Sequence, residues 1–578
     1  MKKLVILCAA MVAVLMLFVS CIDENYDLGD IDSTVEVKVV DLVVPLNLDE
    51  ITLSSLITLN EGGEIREIGG EYVFVKEGEF SSDDVEISPI NIAAPYIAPT
   101  HMEIGIPAEF QVGNDVLMET GRTLSLDVVP VKTEFDAITD GVTPEIKAID
   151  RVGLDFSVTM TYDINGLKGV VNSYRYRNLK MKLPKGIKCS VDKGSYDAAT
   201  GVYTLDEWTV TNSPLSIKFT FEELNLMESN AEFTASNHRF RFADEIAIES
   251  GKLEISSDGL VAGAKLPSMV TLENSYSASD VNVLKFTGRL AYQPTGLSPE
   301  SFVIGDLPDI FSQPGTDLGI VNPQIYLSFI NPLYTYKMWA DVVIDVMARR
   351  NAGDWSHFLV DDGSFRLDGS KSEVKYCLSP KVPEAYAEGY TGAQHVPFTS
   401  LSDVLRGSGL PDEIAIDVDK SSVPEQQVTD LVLGTNLGKF EGKYMFYAPL
   451  NLQAGSCVMY EDMLDGWNDE ELDKMTVKNI EVSALVDNEC PVSVQFEAYP
   501  IDVAGNRLTN VTVECSEVQA LSRDAALSIA ISGDVKHLDG MVFKATAVAS
   551  EGETLSPSMK LKLHDIKVKV SGSYITEL

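Results

Sequence analysis

The sequence predicts an all-β protein built from tandem antiparallel β-sandwich domains with a few short helices. Apolar residues alternate with polar ones at a period of two, as in Val35, Val37 and Val39 near the start of the chain, which is typical of half-buried strands. Turn sequences such as KGSYDAATG, DVAGNR and SEGETLSP interrupt these runs at short intervals. Short strands separated by frequent turns favour sandwiches over parallel βαβ units.

Length and composition limit the function classes. At a typical ~150 residues per domain, a chain of 578 residues has room for about four domains. Hydrophobic residues make up 45% of the chain and charged residues 23%, which is typical of folded protein. Acidic residues number 87 and basic residues 45, for a net charge of -42. Such a surface repels phosphate backbones, so nucleic acid is excluded as a partner.

The N-terminus has the layout of a signal peptide over residues 1–20. Two lysines precede an uncharged run over residues 4–19. This run is shorter than the ~20 apolar residues that span a bilayer. The string Phe18-Val19-Ser20-Cys21 that ends the run resembles a bacterial lipobox. The resemblance implies that the Cys21 thiol carries diacylglycerol, which makes outer-membrane lipid a partner of the N-terminus.

Residues 21–34 form an acidic tether after the lipidated cysteine. Its string IDENYDLGDID resembles the tether of Bacteroidota surface lipoproteins, and the resemblance implies an outer-membrane protein that faces the cell surface. A solvated, flexible leader is the alternative interpretation of such a charge run. The spacing of the acids does not match a calcium-binding EF-hand loop.

The remaining chain divides at turn-rich stretches into four segments: an N-terminal β region over 35–148, a module over 149–250, a middle β region of one or two domains over 251–474, and a C-terminal β-sandwich over 475–578. Helical spacing is short and local. It occurs in DEITLSSLI from Asp49, in FTSLSDVLRG from Phe398 and in YEDMLDGWNDEELDKM from Tyr460.

The module over 149–250 contains a two-part turn pattern. Leu183-Pro184 with Gly186 is followed by a Y-D-x-x-T-G-V string that runs from Tyr196 to Val202. This pattern resembles repeat modules of bacterial surface proteins, and the resemblance implies an immunoglobulin-like sandwich. We expect Gly201 to supply the left-handed residue of the hairpin turn.

Two later segments share the layout strand, Asn-to-Pro corner, strand. Asn331-Pro332 forms the first corner, and Asn488 with Pro491 forms the second. With the sequences around them, these segments resemble uncharacterised multidomain lipoproteins of Bacteroidota over most of the mature chain. The resemblance supplies no catalytic residue.

No motif of enzyme chemistry is found. The glycines of GTNLGKF are too closely spaced for a phosphate-binding P-loop, and no GxSxG elbow occurs. The cysteines beyond the anchor (Cys189, Cys377, Cys457, Cys490 and Cys515) and the six histidines show no metal-ligand spacing. We therefore predict a protein that is not an enzyme and has no cofactor and no metal site. A hydrolase without a recognisable motif is the alternative.

Aromatic residues are the best candidates for ligand contact. Tyr334 and Tyr336 lie two residues apart, and Trp339 is close by. On a strand, this spacing would place both tyrosine rings on one face, as a platform for a sugar ring or a partner protein. Packing within a sandwich core is the alternative interpretation. Tyr174 with Tyr176, and Tyr386 with Tyr390, are further pairs.

Together these observations predict a lipid-anchored outer-membrane lipoprotein with a non-enzymatic binding role and a glycan or protein ligand. Loops at the tips of sandwich domains are the expected ligand sites, because function collects there on rigid β scaffolds. The alternative is a structural or assembly component of the envelope or of a fimbria-like appendage.

Overall fold

A computed structural model describes the chain except residues 1–33, 47–50, 58, 60–62, 112–118, 120, 298–299, 304–310, 312, 314, 408, 467–474, 534–538, 551–553 and 578. The predicted signal peptide, Cys21 and residues 22–33 of the tether lie outside the described residues. No helix in the described part of the chain is long and apolar enough to cross a membrane.

The all-β prediction is confirmed, since 59% of the chain is strand and 4% is helix. In the first part of the chain the strands are β1 (Thr34–Leu46), β2 (Ile51–Thr52), β3 (Ile65–Ile68), β4 (Glu71–Ser81), β5 (Ile90–Ile92), β6 (Thr100–Gly105), β7 (Thr123–Asp127), β8 (Val131–Thr139), β9 (Ile146–Asn165), β10 (Tyr174–Lys182), β11 (Ile187–Val191), β12 (Ser195–Asp197), β13 (Val202–Val210), β14 (Leu215–Asn225), β15 (Glu232–Thr234) and β16 (Arg239–Ser256).

The middle strands are β17 (Met269–Ala278), β18 (Val281–Tyr292), β19 (Glu300–Val303), β20 (Gln324–Ile330), β21 (Ala340–Val342), β22 (Asp345–Arg349), β23 (Ser356–Leu359), β24 (Phe365–Leu367), β25 (Glu373–Ser379), β26 (Gln394–Pro397), β27 (Glu413–Asp417), β28 (Val423–Val432) and β29 (Glu441–Pro449). The last strands are β30 (Cys457–Leu464), β31 (Met475–Asn488), β32 (Val492–Ile501), β33 (Val511–Cys515), β34 (Glu517–Val518), β35 (Ser522–Gly533), β36 (Gly540–Ala549) and β37 (Lys560–Glu577).

Helical structure in the described part of the chain is limited to short segments of three to five residues. There are two short α-helices, α1 (Leu53–Leu56) and α2 (Ala108–Gln111). Four 3₁₀ turns lie elsewhere in the chain: Ala235–Asn237, Ser257–Gly259, Tyr334–Tyr336 and Thr399–Asp403. Two predicted helical sites are thus confirmed as one turn each, α1 and Thr399–Asp403. The third prediction is wrong at its start, because Tyr460 to Leu464 belong to β30 and pair with β36. Cross-strand pairing overrides local helical spacing there, and residues 467–474 lie outside the described residues.

The strands of the described residues form seven sheets. The two largest have the strand orders β11-β14-β9-β17-β6, with β18 beside β9 and with β5 and β28 beside β18, and β12-β13-β10-β16-β15, with β7 and β8 beside β16. The others are β1-β37-β31-β35-β33 with β2, β26-β25-β20-β29-β4-β3, β19-β27-β22-β23, β30-β36-β32-β34 and β21-β24. Almost all pairs are antiparallel; β25 and β26 are parallel.

The module over 149–250 is built from the two largest sheets, which pack face to face. The ring centroids of Tyr162 on β9 and Tyr176 on β10 lie 6.2 Å apart, and those of Tyr203 on β13 and Phe219 on β14 lie 5.1 Å apart. These contacts across the two sheets form a sandwich core. The predicted role of Gly201 is confirmed, because its φ is +73° in the turn between β12 and β13.

Sheet pairing joins segments that are far apart in the sequence. Strand β1, near the start of the chain, pairs with β37 at its end, and β4 pairs with β29. The division into segments at 148, 250 and 474 stays a prediction. Each of these two strand pairs joins residues from different predicted segments.

Both predicted Asn corners are built in the same way. Asn331 and Asn488 are each 1% exposed. The Asn331 Oδ1 accepts from the Leu333 N–H at 2.9 Å, and its Nδ2 donates to the Met338 carbonyl at 2.8 Å. The Asn488 amide accepts from the Cys490 N–H at 3.0 Å and donates to the Val492 carbonyl at 2.8 Å. A buried amide whose two ends are both paired holds each corner.

The six-stranded sheet that contains β20 has two covered faces. On β20, Ile325, Leu327 and Phe329 point into the main hydrophobic core, and this side is called the inner face. Tyr326, between them, belongs to a separate small cluster on the outer face. On the inner face, a Cβ added at Gly78 would lie 2.4 Å from the ring of Tyr444, so the glycine makes room for the aromatic ring on the neighbouring strand.

Candidate functional site

The predicted Tyr334–Tyr336 platform does not lie on a strand. These residues form a 3₁₀ turn, in which side chains two residues apart point about 120° away from each other. Tyr334 is 42% exposed, whereas Tyr336 packs against the main core and its hydroxyl accepts from the Val432 N–H at 3.3 Å. The strand geometry expected for this pair is therefore wrong.

Trp339 is held separately from both tyrosines. The Arg366 guanidinium lies 3.7 Å from the centroid of the Trp339 ring. The Gln426 side chain accepts from the Trp339 N–H at 3.1 Å and donates to its carbonyl at 2.7 Å. Among the described residues, no ring contact joins Tyr334, Tyr336 and Trp339 to one another. Ligand binding by these three residues stays a prediction.

The pair Tyr174 and Tyr176 belongs to the sandwich core. Tyr176 is 1% exposed, and the two ring centroids lie 5.8 Å apart in an edge-to-face arrangement. Desolvation raises the pKa of Tyr174 to about 12. The core interpretation holds for this pair.

The pair Tyr386 and Tyr390 lies in a different setting, which we call the tyrosine cluster: Tyr326, Tyr386, Tyr390 and Tyr447. Tyr326 on β20 is fully buried at the centre. Its ring centroid lies 4.9 Å from that of Tyr390, 6.1 Å from that of Tyr447 and 6.4 Å from that of Tyr386. The three outer rings are only half-buried, so the cluster presents aromatic surface to solvent.

Two elements build the tyrosine cluster. Tyr326 and Tyr447 come from the neighbouring strands β20 and β29, where Gln324 faces Tyr447 and Tyr326 faces Met445. Tyr386 and Tyr390 come from the connection between β25 and β26, which crosses the outer face before the two strands pair in parallel. Gly389 and Gly392 allow this path, because both have φ near +80°, at +82° and +81°.

Hydrogen bonds fix the centre of the cluster. The Tyr326 hydroxyl donates to Gln324 Oε1 at 2.7 Å and accepts from the Ala387 N–H at 3.0 Å. The second bond ties the connection to the sheet. Lys375 Nζ donates to the Gly389 carbonyl at 3.0 Å and lies 5.6 Å from the Tyr390 ring centroid. The half-exposed rings therefore sit on a rigid base.

Carboxylates surround the exposed rings. Burial raises the pKa of Tyr390, and the charges of Glu77 and Glu373 raise it further. Burial also raises the pKa of Tyr447, with Glu71 adding to the effect. These phenols consequently remain protonated at neutral pH and can donate hydrogen bonds, while the carboxylates can only accept them.

Sequence reasoning found half of this cluster. The spacing of Tyr386 and Tyr390 was visible in the sequence, but Tyr326 and Tyr447 lie far from them along the chain and meet them only through strand register. The signal that could have found Tyr326 is its place between Ile325 and Leu327: a run of large side chains on successive residues predicts a strand with both faces covered.

Among the described residues, no cysteine joins a reactive site. The five cysteines beyond residue 33 are free thiols. Cys377 lies under the tyrosine cluster, where burial raises its pKa. Desolvation also raises the pKa of Cys490 to about 11. Thiols that burial keeps protonated are poor nucleophiles.

Comparison with known proteins gives distant matches only. No family model matches the chain, and no curated protein matches it. A crystal structure of a "putative secreted protein from Parabacteroides distasonis ATCC 8503" matches with a TM-score of 0.35 and 15% identity, over 50% of this chain and 89% of that one.

Two further matches are more remote. The CBM22-1-CBM22-2 tandem domain of Paenibacillus barcinonensis Xyn10C has a TM-score of 0.14 and 8% identity, over 49% of this chain and 91% of that one. Discoidin II of Dictyostelium discoideum has a TM-score of 0.13 and 10% identity, over 44% of this chain and 82% of that one. TM-scores this low do not establish a common fold, so function must be inferred from the chain's own residues.

Proposed function

We propose that this protein is a lipid-anchored outer-membrane protein that binds a glycan, without catalysis, at the tyrosine cluster. The observation that carries the proposal is a group of half-exposed tyrosine rings on a rigid sheet, surrounded by carboxylates. Aromatic rings with a few fixed polar groups are the usual composition of a ligand site. The lipid anchor at Cys21 and the exposure at the cell surface rest on the N-terminal sequence.

The chemistry of the cluster favours a sugar. The apolar face of a pyranose ring can pack on Tyr390 or Tyr447, because these rings are half-buried and held in place. Sugar hydroxyls can donate to Glu77 and Glu373, and they can accept from the protonated phenols. Apolar stacking and directed hydrogen bonds are thus available within one surface.

Charge narrows the class of glycan. Glu71, Glu77 and Glu373 act on the rings of the cluster, and the whole chain carries a net charge of -42. These three carboxylates outnumber the Lys375 ammonium beside Tyr390, so sulfated or uronic-acid polymers would be repelled from this surface. The proposed ligand is therefore a neutral glycan.

A glycan panel tests this proposal with the purified chain. We expect neutral glycans to bind, and anionic glycans of matched size to fail. Tyr390→Ala and Tyr447→Ala should weaken binding tenfold or more, which is the scale of a central aromatic contact. Tyr96→Ala is the matched control, because Tyr96 is 80% exposed and lies outside the cluster.

Two results would overturn the binding proposal. One is a chain that binds no glycan but self-associates, which would favour the structural or assembly role. The other is a glycan that the Tyr390→Ala variant binds as tightly as the wild-type chain does. Turnover of a bound glycan would instead favour the hydrolase.

The location has its own test. Protease treatment of intact cells should release peptides from beyond residue 34 while a periplasmic control protein stays intact. Cys21→Ala should release the protein from the membrane fraction. Peptides that appear only after the outer membrane is broken would contradict exposure at the surface.

A further inference from the structure

Three strands of the C-terminal sheet bring two aspartates and a histidine together. Asp487 is on β31, Asp524 is on β35 and His564 is on β37, and these strands are neighbours in the order β37-β31-β35. His564 Nε2 lies 3.4 Å from Asp524 Oδ1 and 3.8 Å from Asp487 Oδ1. One donor atom from each residue lies within 4.8 Å of the other two.

A bulge in β37 places the histidine. The register between β31 and β37 shifts between Ser483 and Leu485, opposite His564. Asp565 has a φ of +53° at this bulge. Bulges commonly redirect a side chain in this way.

His564 Nε2 is shielded from solvent and makes no well-aligned hydrogen bond, although both carboxylates lie within 3.8 Å of it. The other ring nitrogen, Nδ1, lies 3.7 Å from Asp565 Oδ2. A metal bound at Nε2 requires the tautomer with its proton on Nδ1, in which that N–H faces Asp565 and the Nε2 lone pair faces two carboxylates. In that tautomer a cation between the three groups would be attracted by all of them.

The carboxylates are suited to holding a cation. The Asp524 N–H donates to Asp487 Oδ1 at 2.9 Å. Lys562 is the cross-strand partner of Asp487 and is the basic side chain that a bound cation would have to tolerate.

We propose that Asp487, Asp524 and His564 form a binding site for a divalent transition-metal ion of the Zn²⁺ class, which ties three strands together. Bonds of about 2.0–2.1 Å to a tetrahedral ion place ligand atoms about 3.4 Å apart, close to the 3.4 Å and 3.8 Å separations. One nitrogen and two oxygens suit Zn²⁺ better than Ca²⁺, which takes six to eight oxygens. Water would complete the shell, and Asp565 would orient the ring from behind.

A second His–Asp pair provides a matched control. His357 Nδ1 makes an ordinary hydrogen bond to Asp345 Oδ2 at 3.0 Å, and Lys420 Nζ lies 3.6 Å from the same oxygen. This histidine has its partner and faces one carboxylate that a lysine already neutralises. The His357 pair should therefore bind no zinc.

Calorimetric titration of the metal-stripped full chain with ZnCl₂ tests the site. We expect one tight equivalent in the wild-type chain and in His357→Gln, and its loss in His564→Gln. The melting temperature should rise with zinc in the first two proteins and not in the third. CaCl₂ should give no saturable equivalent.

A variant outside the three ligands separates loss of the site from misfolding of the chain. Asp565→Asn leaves all three ligands in place and should weaken zinc binding by about tenfold to a hundredfold, the usual effect of losing an orienting carboxylate. A wild-type chain without a tight equivalent, or a His564→Gln chain that binds zinc as the wild type does, would overturn the proposal. Glycan binding at the tyrosine cluster is measured separately from zinc binding, so the two proposals can fail independently.

Discussion

The two faces of the sheet β26-β25-β20-β29-β4-β3 are both aromatic, but they use aromatic residues differently. On the inner face, Phe329 is 4% exposed and its ring centroid lies 5.3 Å from that of Phe80. On the outer face, one buried tyrosine supports three half-exposed ones. Phenylalanine only fills space, whereas tyrosine packs on one side and keeps a polar group for water or a ligand. The inner face therefore stabilises the fold, and the outer face is available for binding.

The largest expected effect is on the inner face. Phe329→Ala should lower the free energy of unfolding by about 3–5 kcal/mol, because it leaves a cavity among aromatic rings that cannot collapse fully. Urea denaturation followed by circular dichroism measures this. A loss below about 1 kcal/mol would show that the inner face is not the core of this sheet.

Removing the buried amide at the end of β20 should lower the free energy of unfolding by an intermediate amount. Asn331→Ala leaves the Leu333 N–H and the Met338 carbonyl without their partner, at a cost of about 1–3 kcal/mol. Asn488→Ala should cost at least as much, because the Asn488 amide makes the matching two hydrogen bonds and its Nδ2 also donates to the Gln519 carbonyl at 2.9 Å. A smaller loss at Asn488 than at Asn331 in matched denaturation curves would contradict this.

On the outer face, a substitution should affect glycan binding more than it affects stability. Tyr390→Ala should cost only about 1 kcal/mol of stability, because the ring is half-buried and its main contact is one aromatic neighbour. Binding of a neutral glycan should nevertheless fall tenfold or more. A variant that loses stability and affinity in the same proportion would place Tyr390 in the core instead.

The smallest effect concerns the carboxylates. Glu77→Gln removes a negative charge that raises the pKa of Tyr390, so that pKa should fall. Because the chain has 21 tyrosines, the Tyr390 phenol is followed as the difference between alkaline absorbance titrations of chains with and without Tyr390→Phe. Because the folded pKa is raised, Tyr390 stabilises the fold fully below about pH 10, and its contribution is lost as the pH rises through the folded value. An unchanged titration in Glu77→Gln would remove that carboxylate from the site.

The two faces also show what the sequence can and cannot predict. Alternation and turn residues predict the all-β fold and the hairpin at Gly201, because these depend on neighbours in the chain. The 3₁₀ turn at Tyr334–Tyr336 was missed, since two aromatic residues at a period of two also occur outside strands. Tyr326 and Tyr447 meet through strand register, and Asp487 and Asp524 meet His564 across three strands. Such contacts arise from topology that no local pattern contains.

The most direct test of the central claim is a calorimetric titration of one neutral glycan, selected from the panel, into three proteins. The wild-type chain and Tyr96→Ala should bind it with equal affinity, and Tyr390→Ala should bind it at least tenfold more weakly, with all three equally folded by circular dichroism. Equal affinity in all three would contradict a glycan site at the tyrosine cluster.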